Sequence, residues 1–282
     1  MEERLKILKL LEDGKINSEE AARLLEALSD RPAWEPRHFG RKVVMPDMEK
    51  FFDKFNFDIA SAFGDRVKHR ELKFTGKKLL RISSVSGTVD VTGTAGPEIT
   101  IKAEGSGFQR IREDDSEVKL HYLSSDLLVS IPKQTGFELR AVSGDINLTD
   151  YEGAAELVAV SGDIELHNLS GKLKIKTVSG DIAGSGLSST IEAKTKSGDI
   201  DLDFSELTSA ELETRTGDVA LTIPKEGSLT VELSTESGKI DCDLPLTGEK
   251  RTSGHLAGSI GNGKGRLKVT IEDKGSITIK VK

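Results

Sequence analysis

Six turns of nearly one composition recur along the middle of this chain at almost constant spacing. They are Ser143-Gly144-Asp145-Ile146, Ser161-Gly162-Asp163-Ile164, Ser179-Gly180-Asp181-Ile182, Ser197-Gly198-Asp199-Ile200, Thr216-Gly217-Asp218-Val219 and Ser237-Gly238-Lys239-Ile240, at steps of 18, 18, 18, 19 and 21 residues. A period of this length marks one supersecondary unit that cannot bury its apolar face alone and must stack on copies of itself. The expected fold is mainly β: a single-stranded parallel β-solenoid (β-helix) of ~18-residue coils.

Aligning the units on their glycines gives each position a role. Six residues before each Ser or Thr stand Phe137, Ala155, Leu173, Ile191, Ala210 and Val231; four before stand Leu139, Leu157, Ile175, Ala193, Leu212 and Leu233. Two before stand Ala141, Ala159, Thr177, Thr195, Thr214 and Thr235, and the positions between are mostly Glu, Lys and Arg. That alternation is the period of two of a strand with one buried face. After the turn, Ile146, Ile164, Ile182, Ile200, Val219 and Ile240 open a second inward column. Leu148, Leu166, Leu202, Leu221 and Cys242 continue it, with Gly184 as a gap. Cys242 is the single cysteine; it forms no internal disulfide and reads as a buried, inert thiol.

The turn glycines, Gly144, Gly162, Gly180, Gly198, Gly217 and Gly238, fit a sharp bend with a positive φ. Asp145, Asp163, Asp181, Asp199 and Asp218 follow five of them and can satisfy exposed backbone groups with a short side chain. A cation held between stacked carboxylates is the competing reading. Calcium-binding β-helix repeats, however, supply several oxygen ligands per turn, and this repeat supplies one. Gly87 in Ser86-Gly87-Thr88-Val89 extends the array upstream; Gly258-Ser259-Ile260 and Gly275-Ser276-Ile277 extend it downstream. The 57 residues from Gly87 to Gly144 leave room for two less regular coils. The expected total is about eleven coils, a rod on the order of 50 Å long at ~4.8 Å per strand.

Three regions divide the chain. Residues 1–29 read as a helical hairpin. Leu5, Leu8 and Leu11 form one apolar stripe up to Gly14; Asn17 then opens a second helix, capped with Glu20 and faced by Leu24, Leu25 and Leu28. Two such helices bury too little to be stable alone, so this stripe is the candidate face for protein partners or self-association. Residues 30–74 read as a proline-containing linker followed by an amphipathic helix over 47–68. Met48, Phe51, Phe52, Phe55, Ile59, Phe63 and Val67 lie on its apolar face. A helix of this kind can cap the open end of a solenoid core. Peripheral contact with a membrane interface is the weaker alternative, because its polar face mixes acids with bases. Residues 75–282 carry the repeats.

Little else suggests chemistry. A net charge of −7 and a pI near 5.5 argue against general binding of nucleic acid. Five scattered histidines (His38, His69, His121, His167 and His255) show no metal-ligand spacing. Gly258 to Lys264 resembles the start of a phosphate loop, but position 265 is Gly and a strand-like pattern follows. No catalytic, cofactor-binding or metal residue is assigned. The N-terminus carries charges throughout, without the order of a secretory signal, and no segment is apolar enough to span a membrane. A cytoplasmic protein, with membrane association as the variant, is expected.

The repeated Val-Ser-Gly-Asp-Ile of residues 142–146, 160–164 and 178–182 resembles the bacterial "putative adhesin" β-strand-repeat family, a domain of unknown function. Residues 1–29 resemble the SHOCT-like helical domain that precedes it. The resemblance implies an association with the bacterial cell envelope and its stress responses, and no catalytic residues. The expected function is a non-catalytic scaffold or interaction protein. The alternative is a sensor or adhesin recognising a glycan or envelope peptide on a coil face; a polysaccharide-active enzyme ranks third.

Overall fold

The computed structural model describes residues 65–66, 71–105 and 108–282, all within the unit Ala62–Lys282. The hairpin of residues 1–29, the linker after it and the aromatic helix up to residue 64 lie outside the described residues. The helix expected over 47–68 is overturned at one point: Asp65–Arg66 is a strand, β1. A second strand, β2 (Glu71–Thr75), also lies before the expected start of the repeats.

The repeats fold as designed by their alternation. The first coil is β3 (Leu79–Ser86) and β4 (Val89–Thr94), followed by two strands antiparallel to their neighbours, β5 (Glu98–Glu104) and β6 (Phe108–Glu113). The second coil is β7 (Glu117–Tyr122) and β8 (Asp126–Pro132), and the third β9 (Gly136–Ser143) and β10 (Ile146–Thr149). The fourth is β11 (Ala154–Ser161) and β12 (Ile164–His167). In the fifth, β13 (Ser170–Lys176) leads to the first half of β14 (Ile182–Ser197). The second half of β14 opens the sixth coil with β15 (Ile200–Phe204), and the seventh is β16 (Ser209–Thr216) and β17 (Val219–Ile223). The eighth, β18 (Leu229–Ser237) and β19 (Ile240–Cys242), precedes two antiparallel strands, β20 (Thr247–Arg251) and β21 (His255–Ile260). The ninth is β22 (Gly265–Lys274) and β23 (Ile277–Val281).

Strands before the turn stack in one sheet and strands after it in another, in parallel register between coils. Leu139 faces Leu157, Leu157 faces Ile175, and Ile146 faces Ile164. The two inward columns meet in one hydrophobic cluster that includes Leu157, Ile175, Ile164 and Ile182. In the Ala/Thr column two buried hydroxyls bond to turn carbonyls: Thr214 Oγ1 donates to Thr216 O at 3.2 Å and Thr235 Oγ1 to Gly275 O at 2.8 Å. The gap at Gly184 is filled from the same chain. A Cβ there would lie 2.9 Å from Leu187 Cδ1, and Leu187 is fully buried.

The order of coils in space is not the order in sequence. β3 lies between β7 and β9, so the second coil stacks outside the first. β22 lies between β16 and β18, so the ninth coil is inserted between the seventh and the eighth. The expected run of about eleven sequential coils is thereby corrected to nine parallel coils among the described residues. Two marker assignments fall with it. Gly258-Ser259-Ile260 is no turn but the end of antiparallel β21, and the stretch between Gly87 and Gly144 holds one coil plus β5 and β6. The all-parallel expectation fails at both ends: β2 and β5 form an antiparallel edge in one sheet and β1 and β6 in the other, and at the far end β20 and β21 edge the sheet of the strands before the turn, while parallel β19 edges the other.

The turn glycines of the repeat answer to two constraints, except Gly238, whose φ is not positive and which meets only the close approach. Gly162, Gly180, Gly198 and Gly217 have φ between 126° and 147°. In addition, a Cβ on Gly180 would lie 2.1 Å from Gly162 O, and one on Gly198 2.2 Å from Gly180 O. No rotamer change relieves a clash between two backbones. Gly180→Ala is therefore expected to cost ~3–5 kcal/mol and Gly180→Val at least as much. Gly96, in the connection after β4, has open space around its Cβ position, so Gly96→Ala should change stability by less than about 1 kcal/mol. Thermal melts of the two alanine variants compare the positions directly, and equal melting points would contradict the close-approach argument.

Candidate functional site

The turn carboxylates form a ladder of hydrogen bonds along one corner of the stack. Asp145 Oδ1 accepts from the Asp163 amide at 3.0 Å, Asp163 Oδ1 from Asp181 at 2.8 Å, and Asp181 Oδ1 from Asp199 at 2.8 Å. Asp199 Oδ1 accepts from the Asp218 amide at 2.7 Å. The ladder then follows space rather than sequence: Asp218 Oδ1 accepts from Ser276 of the ninth coil at 2.7 Å. At the other end Asp126, which the repeat alignment did not single out, accepts from Thr88 at 2.8 Å. Behind the carboxylates run the glycines: Cβ atoms on Gly144, Gly275 and Gly238 would meet Gly87 O, Gly217 O and Gly275 O. Each carboxylate thus spends one oxygen on an amide that parallel pairing leaves without a partner at the bend. Among the described residues no three His, Cys, Asp or Glu side chains converge as metal ligands would.

Replacing Asp181 separates these uses of the carboxylate. Asp181→Ala removes the acceptor for the Asp199 amide and should cost about 1 kcal/mol, whereas Asp181→Asn keeps an oxygen there and should cost less than about 0.5 kcal/mol. Millimolar Ca²⁺ should leave the melting temperature of the parent protein unchanged. A calcium-dependent rise that Asp181→Asn abolishes would establish a cation site instead.

The outward face of the β3–β22 sheet carries charged rows one strand spacing apart. Arg81 lies between Glu117 at 2.7 Å and Glu138 at 2.9 Å. Lys174 meets Glu192 at 3.4 Å, and Lys194 meets Glu213 at 3.0 Å. Lys268 of the ninth coil meets Glu211 of the seventh at 3.1 Å, a pair that only the exchanged coil order brings together. The Lys268 ammonium holds the Glu211 carboxyl below its usual range. Burial pulls the Lys194 ammonium down, but Glu213, Glu192 and Glu211 together outweigh it and leave the pKa raised. Beside them Glu272 is raised, first by burial and then by repulsion from Glu213, with which it shares a hydrogen bond.

A carboxyl whose folded pKa is raised opposes folding at pH values above that pKa, and the penalty disappears once both states are protonated. Glu272→Gln should therefore stabilise the protein near pH 7. The gain is expected to be a few tenths of a kcal/mol, because the site is partly solvated. It should vanish as pH falls below the ordinary glutamate value of 4.5. Chemical denaturation of both proteins across pH 4–8 checks the sign.

The opposite outward face, on β4, β10, β12 and β15, is built of shorter side chains. Asn147 Nδ2 donates to Asp90 Oδ1 at 2.6 Å, and His167 Nδ1 lies 2.9 Å from Ser185 Oγ. Cys242, read from the sequence as buried, is only partly so, and burial raises its thiol pKa. The loop resembling a phosphate-binding turn leads from β21 into strand β22, not into a helix. Leu5, Leu8, Leu11, Leu24, Leu25 and Leu28 lie outside the described residues. No helix among the described residues is long and apolar enough to cross a membrane.

The model of the Toastrack DUF4097 family covers residues 73–280. The chain belongs to that family. A SHOCT-like domain model matches residues 2–33, overlapping the helical hairpin read from the leucine stripes. No curated protein matches. Among solved structures, one described as a putative cell adhesion protein from Clostridium sporogenes is 16% identical and spans 75% of this chain and 99% of its own. Its TM-score of 0.31 is too low to carry an argument about this Toastrack chain.

Proposed function

We propose that this Toastrack protein is a non-catalytic scaffold in which a stack of coils presents fixed rows of side chains. Residues 1–29 bind a protein partner or a second copy, and the setting is the bacterial cell envelope and its stress response. The observation that carries this reading is the shortness of the connections from the third coil to the eighth; the two longer ones, after the first and the eighth coils, fold into antiparallel strands. Gly144-Asp145 joins β9 to β10, Asp150–Gly153 joins β10 to β11, and Gly162-Asp163 joins β11 to β12. Enzymes built on stacked coils form substrate clefts from long inserted loops, and connections this short project nothing from which to form one. What remains is a rigid pattern of charge, which favours electrostatic recognition of a partner.

The SHOCT-like match supplies the second half of the reading, because two short helices need a partner surface to be stable. Capture from extracts of the native cell should succeed with the full chain and fail with a chain lacking residues 1–29. The melting temperature of the strands should differ by less than about 2 °C between the two. An identical captured set from both chains would sink the assignment of residues 1–29 as the binding module. A turnover of any envelope polysaccharide by the full chain would sink the non-catalytic reading.

A further inference from the structure

One sheet edge lacks the finish that the other three have. β6 and β1 are laid on β7, β5 and β2 on β8, and β21 and β20 on β18, the first of each pair antiparallel to the strand it covers. Among the described residues β19 pairs with β23 alone. Ile277 N donates to Lys239 O at 2.8 Å and Asp243 N to Ile279 O at 3.0 Å, so Lys239, Asp241 and Asp243 turn their main-chain groups toward β23. Those of Ile240 and Cys242 point the other way.

A step in this end of the stack gives the β19 edge a floor. Because β21 and β20 lie beyond β18, the sheet of the strands before the turn runs two strands, ~10 Å, past β19. Under that overhang the core is less completely covered. Ile240 and Ile260 keep 9% exposure and Leu244 6%, against 0% at Ile277 and Leu267 of the coil beneath. The overhang also excludes a second copy. The opposite end of the stack is flush, with two added strands in each sheet, and could reach β19 only by overlapping β21. A single extended segment fits: it takes the outward groups of Ile240 and Cys242 and lays alternate side chains on the floor.

Arg251 guards the edge. It stands opposite Leu256, which is fully buried, so its side chain points inward. Nη1 donates to Ile240 O at 3.2 Å, and Nε donates to Glu249 Oε1 at 2.8 Å. An inward charge on a terminal strand discourages strand addition. We propose that β19 is an acceptor edge for an extended peptide of a protein partner, added antiparallel and apolar at alternate positions, and that Arg251 is the gate it displaces. β20 competes poorly as an edge, because its register shifts between Thr247 and Lys250.

A synthetic peptide of residues 98–104, Glu-Ile-Thr-Ile-Lys-Ala-Glu, blocked at both ends, is the probe. In the fold this segment lies antiparallel to β2, a terminal strand that runs in the direction of β19, and turns the Ile101 amide toward it. At millimolar peptide, NMR-detected hydrogen exchange of the full chain should slow about fivefold or more at Ile240 and Cys242. N-methylation of Ile101 in the peptide should abolish the effect, and N-methylation of Thr100, on the other edge, should leave it. Arg251→Ala should reach the same slowing at about one third of the peptide concentration. Unchanged exchange at Ile240 and Cys242, indifference to the Ile101 methyl group, or weaker binding by Arg251→Ala would each overturn the proposal. So would slowing at those amides in Arg251→Ala without peptide that grows with protein concentration, since a second copy would then be the occupant.

Discussion

The whole architecture rests on how closely successive turns approach. At each bend the glycine of one coil lies against the carbonyl of the next, so near that a Cβ would sit about 2 Å from that oxygen at Gly180, Gly217 and Gly275. This contact holds the coils one strand spacing apart at the corner, and parallel pairing carries the same spacing along both sheets. Register, the inward columns and the aspartate ladder all follow from it. A strand slipped by one residue would move its leucines to the outside and put a side chain where only a hydrogen fits.

Exchanged coil order at both ends is the main departure from simple winding. A stack of parallel coils leaves its terminal strands with unpaired backbone groups, an open invitation to further pairing. Here the chain leaves the winding direction after the first coil and again after the eighth, and lays antiparallel strands along three of the four sheet edges, parallel β19 being the fourth. The ninth coil then returns between the seventh and the eighth, so β22 pairs with β16 on one side and β18 on the other. The C-terminal strands thereby become interior ones. Pairing of this kind joins residues far apart in sequence, which raises the loop-closure entropy that folding must overcome.

The columns were legible because alternation and the glycine marker act locally. Phe137, Leu157 and Ile175 are buried where the period of two places them. Coil order was not legible, because a repeat records spacing along the chain and is silent about which copy lies beside which. Gly258 misled because a Gly-Ser-Ile triplet looks like a turn. In the structure its φ is not positive, and a Cβ there would meet Leu246 side-chain atoms rather than a backbone carbonyl. Likewise, the spacing of three and four that reads helical up to Phe63 was carried past it into Asp65–Arg66, where pairing with β6 decides the conformation. For the candidate surface, single charges were legible as outward, but not the Lys268–Glu211 pair, which exists only because of the exchange.

The ion pairs on the outward face bear on function more than on stability. Lys174, Glu192, Lys194 and Glu213 are each roughly a third exposed or somewhat less, and pairs of this kind contribute at most about 1 kcal/mol each. Fixed one spacing apart on a backbone that cannot shift, they define a pattern of potential instead. Such a pattern can discriminate between partners by placing like charges against the wrong one.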